Sequence, residues 1–191
     1  AEMWKVIEET SVRLRGWDYP HLGHENERQN GPEWIASWSA FMGFWEYWRF
    51  FESGQFVHKF ALREDKPEFA SRLASGLLIS DEEKAMATGY VSITSLIWTV
   101  TEVFEFCSRL AARGVLNTGG QVTVEIRGVL GRLLSFSSAL IDDRGRIATR
   151  KYKATADVIS HEKDYSADEL ISLGRASAVE AAGLLMDRFG A

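Results

Sequence analysis

FWEYWRFFESGQF, residues 44–56, places seven aromatic rings in thirteen positions. Two readings compete for it. Trp34, Trp38, Phe41, Trp45 and Trp48 recur at spacings of four, three, four and three, the stripe of an amphipathic helix. Pro32 stands near the start of such a helix and Gly54 near its end. Phe44, Tyr47 and Phe50 make the remaining faces apolar as well, and Gly43 costs about 1 kcal/mol relative to alanine inside a helix. Aromatic residues favour the pleated surface of a strand, and Ser53-Gly54 is a turn signal. The next residues, QFVHKFAL, alternate, with Phe56, His58, Phe60 and Leu62 on one face. The stretch therefore predicts a β-hairpin, residues 44–52 paired with 55–62, with helix as the competing reading for residues 34–52. The register is open, and a slip of one residue would exchange the two faces.

Upstream, Met3, Val6, Ile7 and Leu14 predict a helix over residues 3–15, with Arg13 and Arg15 suiting its C-terminal end and Gly16 stopping it. A polar loop broken by Pro20, Gly23, Gly31 and Pro32 follows. Downstream, REDKPE is a polar break, and FASRLASGLLIS reads as a strand or a short helix. Ser80 and Glu83 form a capping box. A long helix is predicted over residues 88–113, with Ile93, Leu96, Ile97, Val100, Val103, Phe104, Cys107, Leu110 and Ala111 as its buried stripe. QVTVEIRGVL alternates as a strand, RLLSFSSALI is a candidate partner for it, IDDRGRI reads as a hairpin turn, and a further strand is expected over residues 146–160. Ser166 and Glu169 open a helix that runs to Phe189, with Gly190 as its stop. The order helix, strands, long helix, strands, long helix predicts an α+β fold. It is an antiparallel sheet packed against two long helices and an N-terminal helix, in one domain over residues 1–191.

The 191-residue chain carries a net charge of −5, the opposite of the balance in a general nucleic-acid binder. Cys107 is the sole cysteine, so a disulfide within the chain and a Cys-rich zinc site are both excluded, and the cytoplasm is the expected compartment. No run of 18 apolar residues predicts a membrane span, and AEMWKVIEET lacks the layout of a signal peptide. Ala1 and Glu2 stand before Met3, which reads either as two added residues or as a cut from a longer protein.

The residues that carry chemistry are sparse. His21 and His24 with Glu25 and Glu27 sit in a glycine-broken loop without the frame that a zinc site needs, so a solvated loop is the better reading and no metal or cofactor is expected. His58, beside Phe56 and Phe60, has the chemistry of a general base if Glu46 or Glu52 approaches it across the hairpin; a half-buried histidine with one hydrogen bond is the plainer alternative. Cys107 lies mid-stripe on a helix, the setting of a buried, inert thiol. The sequence holds no G-x-S-x-G elbow, no P-loop and no G-x-G-x-x-G, so no positive motif supports catalysis. Arg144, Arg146, Arg150, Lys151 and Lys153 fall within ten residues of an otherwise acidic chain. They suit the phosphates of a nucleic acid or nucleotide, or equally the charged guard of an edge strand.

At GWDYPH, EYWRFFESGQFVHKFAL, TEVFEFCSRLAARG and EKDYSADELISLGRASAVEAAGLLMDRFG, the chain resembles the portion that follows the Schlafen-type AlbA_2 domain in bacterial ATP-binding or DNA-binding regulators. The resemblance spans most of the chain and rests on patterned phrases rather than a catalytic signature. The AlbA_2 segment and its basic balance are missing here. The resemblance therefore implies an accessory or interaction domain that dimerises, with any nucleotide or nucleic-acid activity elsewhere in a longer chain.

Three functions follow in order. The first is a non-catalytic domain for self-association or contact with a neighbouring domain, motivated by the aromatic surplus. The second is nucleic-acid or phosphate-ligand binding through Arg144, Arg146, Arg150, Lys151 and Lys153. The third is a small-molecule sensor or enzyme with an aromatic pocket built on Trp17, Trp48 and His58.

Overall fold

In the computed structural model, which describes residues 2–41, 44–75, 80–135 and 152–190, the aromatic stretch is one strand, a turn and the start of the next strand, with no helix in it. Strands β1 (Arg28–Asn30), β2 (Trp34–Phe41), β3 (Phe44–Phe51) and β4 (Phe56–Phe60) form an antiparallel sheet in chain order. The register sets Trp48 opposite both Ser37 and His58, and Phe50 opposite both Ile35 and Phe56. The predicted hairpin is borne out, and the helical spacing of the tryptophans is overruled. A helix would have to bury rings all round, whereas the pleat divides them between two faces. Glu46, Trp48 and Phe50 are buried on one side of β3, while Trp45, Tyr47, Arg49 and Phe51 take the other. Gly54, at φ +86°, closes the β3–β4 turn, and its amide donates to Phe51 O at 2.9 Å.

The described residues divide into two compact units. The first comprises Ala1–Leu62, Thr101–Gly120 and Asp164–Ser177. Its core joins Ile7 of α1 (Glu2–Thr10), Val12, Tyr19, Ile35, Trp48 and Phe50 to Phe106 and Leu110 of α4 (Ile93–Ala112). The N-terminal half of α5 (Ala167–Asp187) lies against α4, where a Cβ at Gly174 would sit 3.5 Å from Ser108 Cβ and 3.7 Å from Phe104 O. Tyr165 meets Phe104 edge-to-face, with ring centres 5.4 Å apart.

The second unit comprises Arg63–Val100, Gln121–Lys163 and Ala178–Ala191. It contains α2 (Pro67–Ser75), α3 (Asp81–Met86), and β5 (Tyr90–Ser92) paired in parallel with β7 (Leu133–Ser135). Ala70, Ala74 and Ala87 cover Tyr90 and Leu133. Strands β6 (Gly120–Arg127) and β8 (Val158–Tyr165) form a second pair. The REDKPE break is more than a surface turn: Glu64 is buried and accepts the Ser92 amide at 3.1 Å, and Asp65 meets Arg132 at 2.5 Å.

The α+β reading holds: an antiparallel sheet, the long helices α4 and α5, and the N-terminal helix α1. Ser166 caps α5 as expected, with its amide and hydroxyl both donating to Glu169 Oε2, at 2.8 and 2.7 Å. Several boundaries move. Helix α1 ends at Thr10 rather than residue 15, because Val12 and Tyr19 exchange two backbone hydrogen bonds. Helix α4 begins at Ile93 rather than residue 88, because Tyr90–Ser92 extends along Leu133–Ser135 and Ser92 Oγ then caps the helix at the Ser95 amide. Leu133–Ser135 thus pairs with β5, and β6 pairs with β8. Residues 146–151 of the expected strand and the IDDRGRI turn lie outside the described residues. Among the described residues no helix is long and apolar enough to cross a membrane.

Helix α4 carries a charge that its apolar stripe hides. Glu102 is wholly buried and accepts two bonds from the Arg15 guanidinium, Nε to Oε1 at 3.0 Å and Nη2 to Oε2. Removing the cation strands a buried carboxylate. Arg15→Met is expected to destabilise the protein by about 3–5 kcal/mol in urea unfolding, whereas the double variant Arg15→Met, Glu102→Leu recovers most of the loss. A single variant as stable as the parent would show that the pair is not what holds the loop to α4.

Candidate functional site

The two faces of the four-stranded sheet carry different chemistry. On the inner face, Glu46 is 4% exposed, and its carboxylate collects a chain of donors. His58 Nε2 lies 3.0 Å from Oε1, His21 Nδ1 lies 3.1 Å from Oε2, and the His21 amide donates to Oε1 at 3.2 Å. A carboxylate only accepts, so both imidazoles present N–H to it. When His58 is neutral, the tautomer that donates from Nε2 leaves Nδ1 to accept the Tyr19 hydroxyl, 3.1 Å away; when it is charged, Nδ1 donates to the hydroxyl oxygen instead. The sequence placed Glu46 as a possible partner of His58 across the hairpin, and that contact is present. The sequence predicts a solvated loop for His21; in the structure it reaches the sheet, and Trp48 Nε1 donates to its carbonyl at 2.6 Å.

Burial by itself pushes the Glu46 carboxyl up, but the hydrogen bonds and charges of His21 and His58 outweigh it and bring it down to about 2. His21 is raised above 6.5, chiefly by its hydrogen bond to Glu46. Tyr19 is raised well above 10, first by burial. Burial pushes the Cys107 thiol up to about 12, although the residue is half-buried rather than wholly buried as its place mid-stripe suggests. The result is an internal relay, Tyr19–His58–Glu46–His21, whose last member is partly open to solvent.

The outer face is aromatic and open. Directly opposed pairs Trp34–Phe51, Ala36–Arg49, Trp38–Tyr47 and Ala40–Trp45 line it, with Val57 and Lys59 on β4. The Arg49 guanidinium lies over the Trp34 ring at 4.2 Å and donates from Nε to Tyr47 Oη at 2.9 Å. The Trp34 indole in turn folds onto Gly31, where a Cβ would come within 2.2 Å of it. Trp38 and Trp45 are 40% and 48% exposed, and their indoles have no ring or hydrogen-bond partner among the described residues. The outward positions of the strands bear two cations, Arg49 and Lys59, and no carboxylate.

Of the basic residues singled out in the sequence, Arg144, Arg146, Arg150 and Lys151 lie outside the described residues, and Lys153 is exposed at an isolated bridge to Leu133. Of the pocket residues, Trp48 is a core side chain at 1% exposure and sits beside His58, whereas Trp17 is at the surface beneath the Arg15 guanidinium. His24 takes no part in the relay; its amide donates to Glu27 Oε2 at 2.7 Å. No family model, no curated protein and no solved structure matches the chain.

The relay gives stability a defined pH window. The share from Glu46 is fully present above about 4.5 and is lost as pH falls from there toward about 2. The share from His21 is fully present below about 6.5 and is lost as pH rises through its higher folded value. Glu46→Gln is expected to lower stability by about 3 kcal/mol near pH 6 and to flatten both flanks, measured by urea unfolding at pH 4, 6 and 8. Parallel pH profiles for variant and parent would remove the relay from the account.

Proposed function

We propose that this chain is a non-catalytic interaction domain whose docking surface is the outer face of β1–β4. The exposure of the Trp38 and Trp45 indoles carries the reading. Large rings in water on the two inner strands, near the Phe41–Phe44 end of the β2–β3 pair, are unusual for a face with no partner, and interface cores favour Trp, Tyr, Phe and Arg. The buried relay supports the same view. Its Tyr19 hydroxyl and Glu46 carboxylate are spent on each other's neighbours and on holding the loop to the sheet. The resemblance to the portion following the AlbA_2 domain, which implies an accessory role, points the same way.

Self-association through this face fits less well than contact with a different partner. Two copies face to face would gather the Arg49 and Lys59 charges of both with no carboxylate from the strands of either.

The test is site-specific photo-crosslinking in cells producing the full chain, with the reactive residue placed at 38 or 45, and at exposed Leu130 or Val158 as controls. Discrete adducts are expected at 38 and 45 and not at the controls. No adduct at either face position would overturn the reading.

A further inference from the structure

The inner relay, the Arg15–Glu102 pair, the shallow groove beside Gly174 and the outer sheet face are the strongest features of the molecule. Only the last combines open surface with unspent chemistry. Resting on the reading of that face as the docking surface, we infer that its occupant is a single-stranded nucleic acid, held by base stacking on Trp38, Trp45 and Tyr47 and by phosphate contacts from Arg49 and Lys59.

Charge is the first argument. Arg49 and Lys59 are diagonal neighbours on β3 and β4 and flank Tyr47, since Lys59 stands opposite Tyr47 and Arg49 stands opposite Val57. Neither has a carboxylate partner among the described residues. In a chain of net charge −5, this face is a local exception. An anionic occupant neutralises it, and the small number of cations keeps the general acidity of the chain from deciding the matter.

Ring placement is the second. Trp38 and Tyr47 are direct cross-strand neighbours, and Trp45 follows two residues before Tyr47 on the same face. Rings standing on adjacent strands of an open sheet are how single-stranded bases are received, because every base has a π-face to stack. Ala40 is exposed opposite Trp45 and leaves room beside its ring, whereas Ala36 is covered by its neighbours.

Size is the third. Strands of three, eight, eight and five residues, at ~3.3 Å per residue and ~4.8 Å between strands, give a face of roughly 400 Å². That is about half of the ~800 Å² per partner of a standard protein interface. It matches a run of about four nucleotides, the low end of single-strand site sizes. An acidic peptide or domain satisfies the charge but makes no use of stacked rings.

The experiment titrates tryptophan fluorescence of the full chain with short oligothymidylate and, separately, oligouridylate, at several salt concentrations. Quenching is expected, with log Kd changing with log salt at a slope of magnitude about 1.4, for two phosphate contacts at ~0.7 each. Trp38→Ala and Trp45→Ala should each weaken binding about tenfold, and Lys59→Gln should lower the slope by about 0.7; unfolding curves matching the parent establish that these surface variants fold. A preference between the two oligomers identifies which sugar the site takes. No quenching by either oligomer at low salt, or binding unaffected by both tryptophan variants, overturns the assignment. Protein adducts at positions 38 and 45 together with no quenching would also overturn it, while leaving the docking face itself in place.

Discussion

A carboxylate without water must be answered by donors, and Glu46 makes that demand at the centre of the inner face. The cost of an unpaired buried charge is several kcal/mol, more than any single ring contact around it contributes. The answer comes from two directions: His58 on the neighbouring strand, and His21 from a loop 25 residues away. Because His21 contributes both its ring and its amide, the loop has one position on the sheet rather than many. Trp48 adds a bond to the His21 carbonyl, and Val12 and Tyr19 close the base of the loop with two backbone bonds. An apolar residue at 46 would also be buried, but it would not specify which segment covers it.

That cover decides what the other face must be. Once Tyr19 and Leu22 pack over the inner side, the pleat sends Trp45, Tyr47, Arg49 and Phe51 outward with no second layer described above them. Arg49 offsets part of the exposure by lying over Trp34, a contact worth about 0.5–1 kcal/mol at an open site. Trp38 and Trp45 receive no such cover. The aromatic surplus is thus half core and half surface, divided by the parity of residue number within the strand.

Parity is also what made the hairpin legible. QFVHKFAL alternates, Ser53-Gly54 turns the chain, and together they outweighed a helical spacing that was numerically better. The approach of Glu46 to His58 followed from the same hairpin. His21 did not, since nothing local distinguishes a histidine that reaches back to a strand from one in water. Glu102 was within reach: it stands four and eight residues before Phe106 and Leu110, on the buried side of α4, and a carboxylate in such a row asks for a distant cation. The β5–β7 pair was out of reach, because strands of three residues carry no period to read.

The inner bonds and the outer rings share one backbone. Glu46 lies between Trp45 and Tyr47, and Trp48 lies between Tyr47 and Arg49. Each outward side chain therefore springs from a pleat whose neighbours are fixed from behind by hydrogen bonds and core packing. Ordering a loose, rotamer-rich side chain at an interface costs about 0.5–1.5 kcal/mol, and a ring with two torsions on an anchored strand has less to lose. Arg49 is further restrained by its bond to Tyr47 and its place over Trp34. The buried carboxylate thus has a bearing on the outer face without touching it: by holding the sheet against its loop, it keeps the rings and the two cations in the geometry that a ligand would meet.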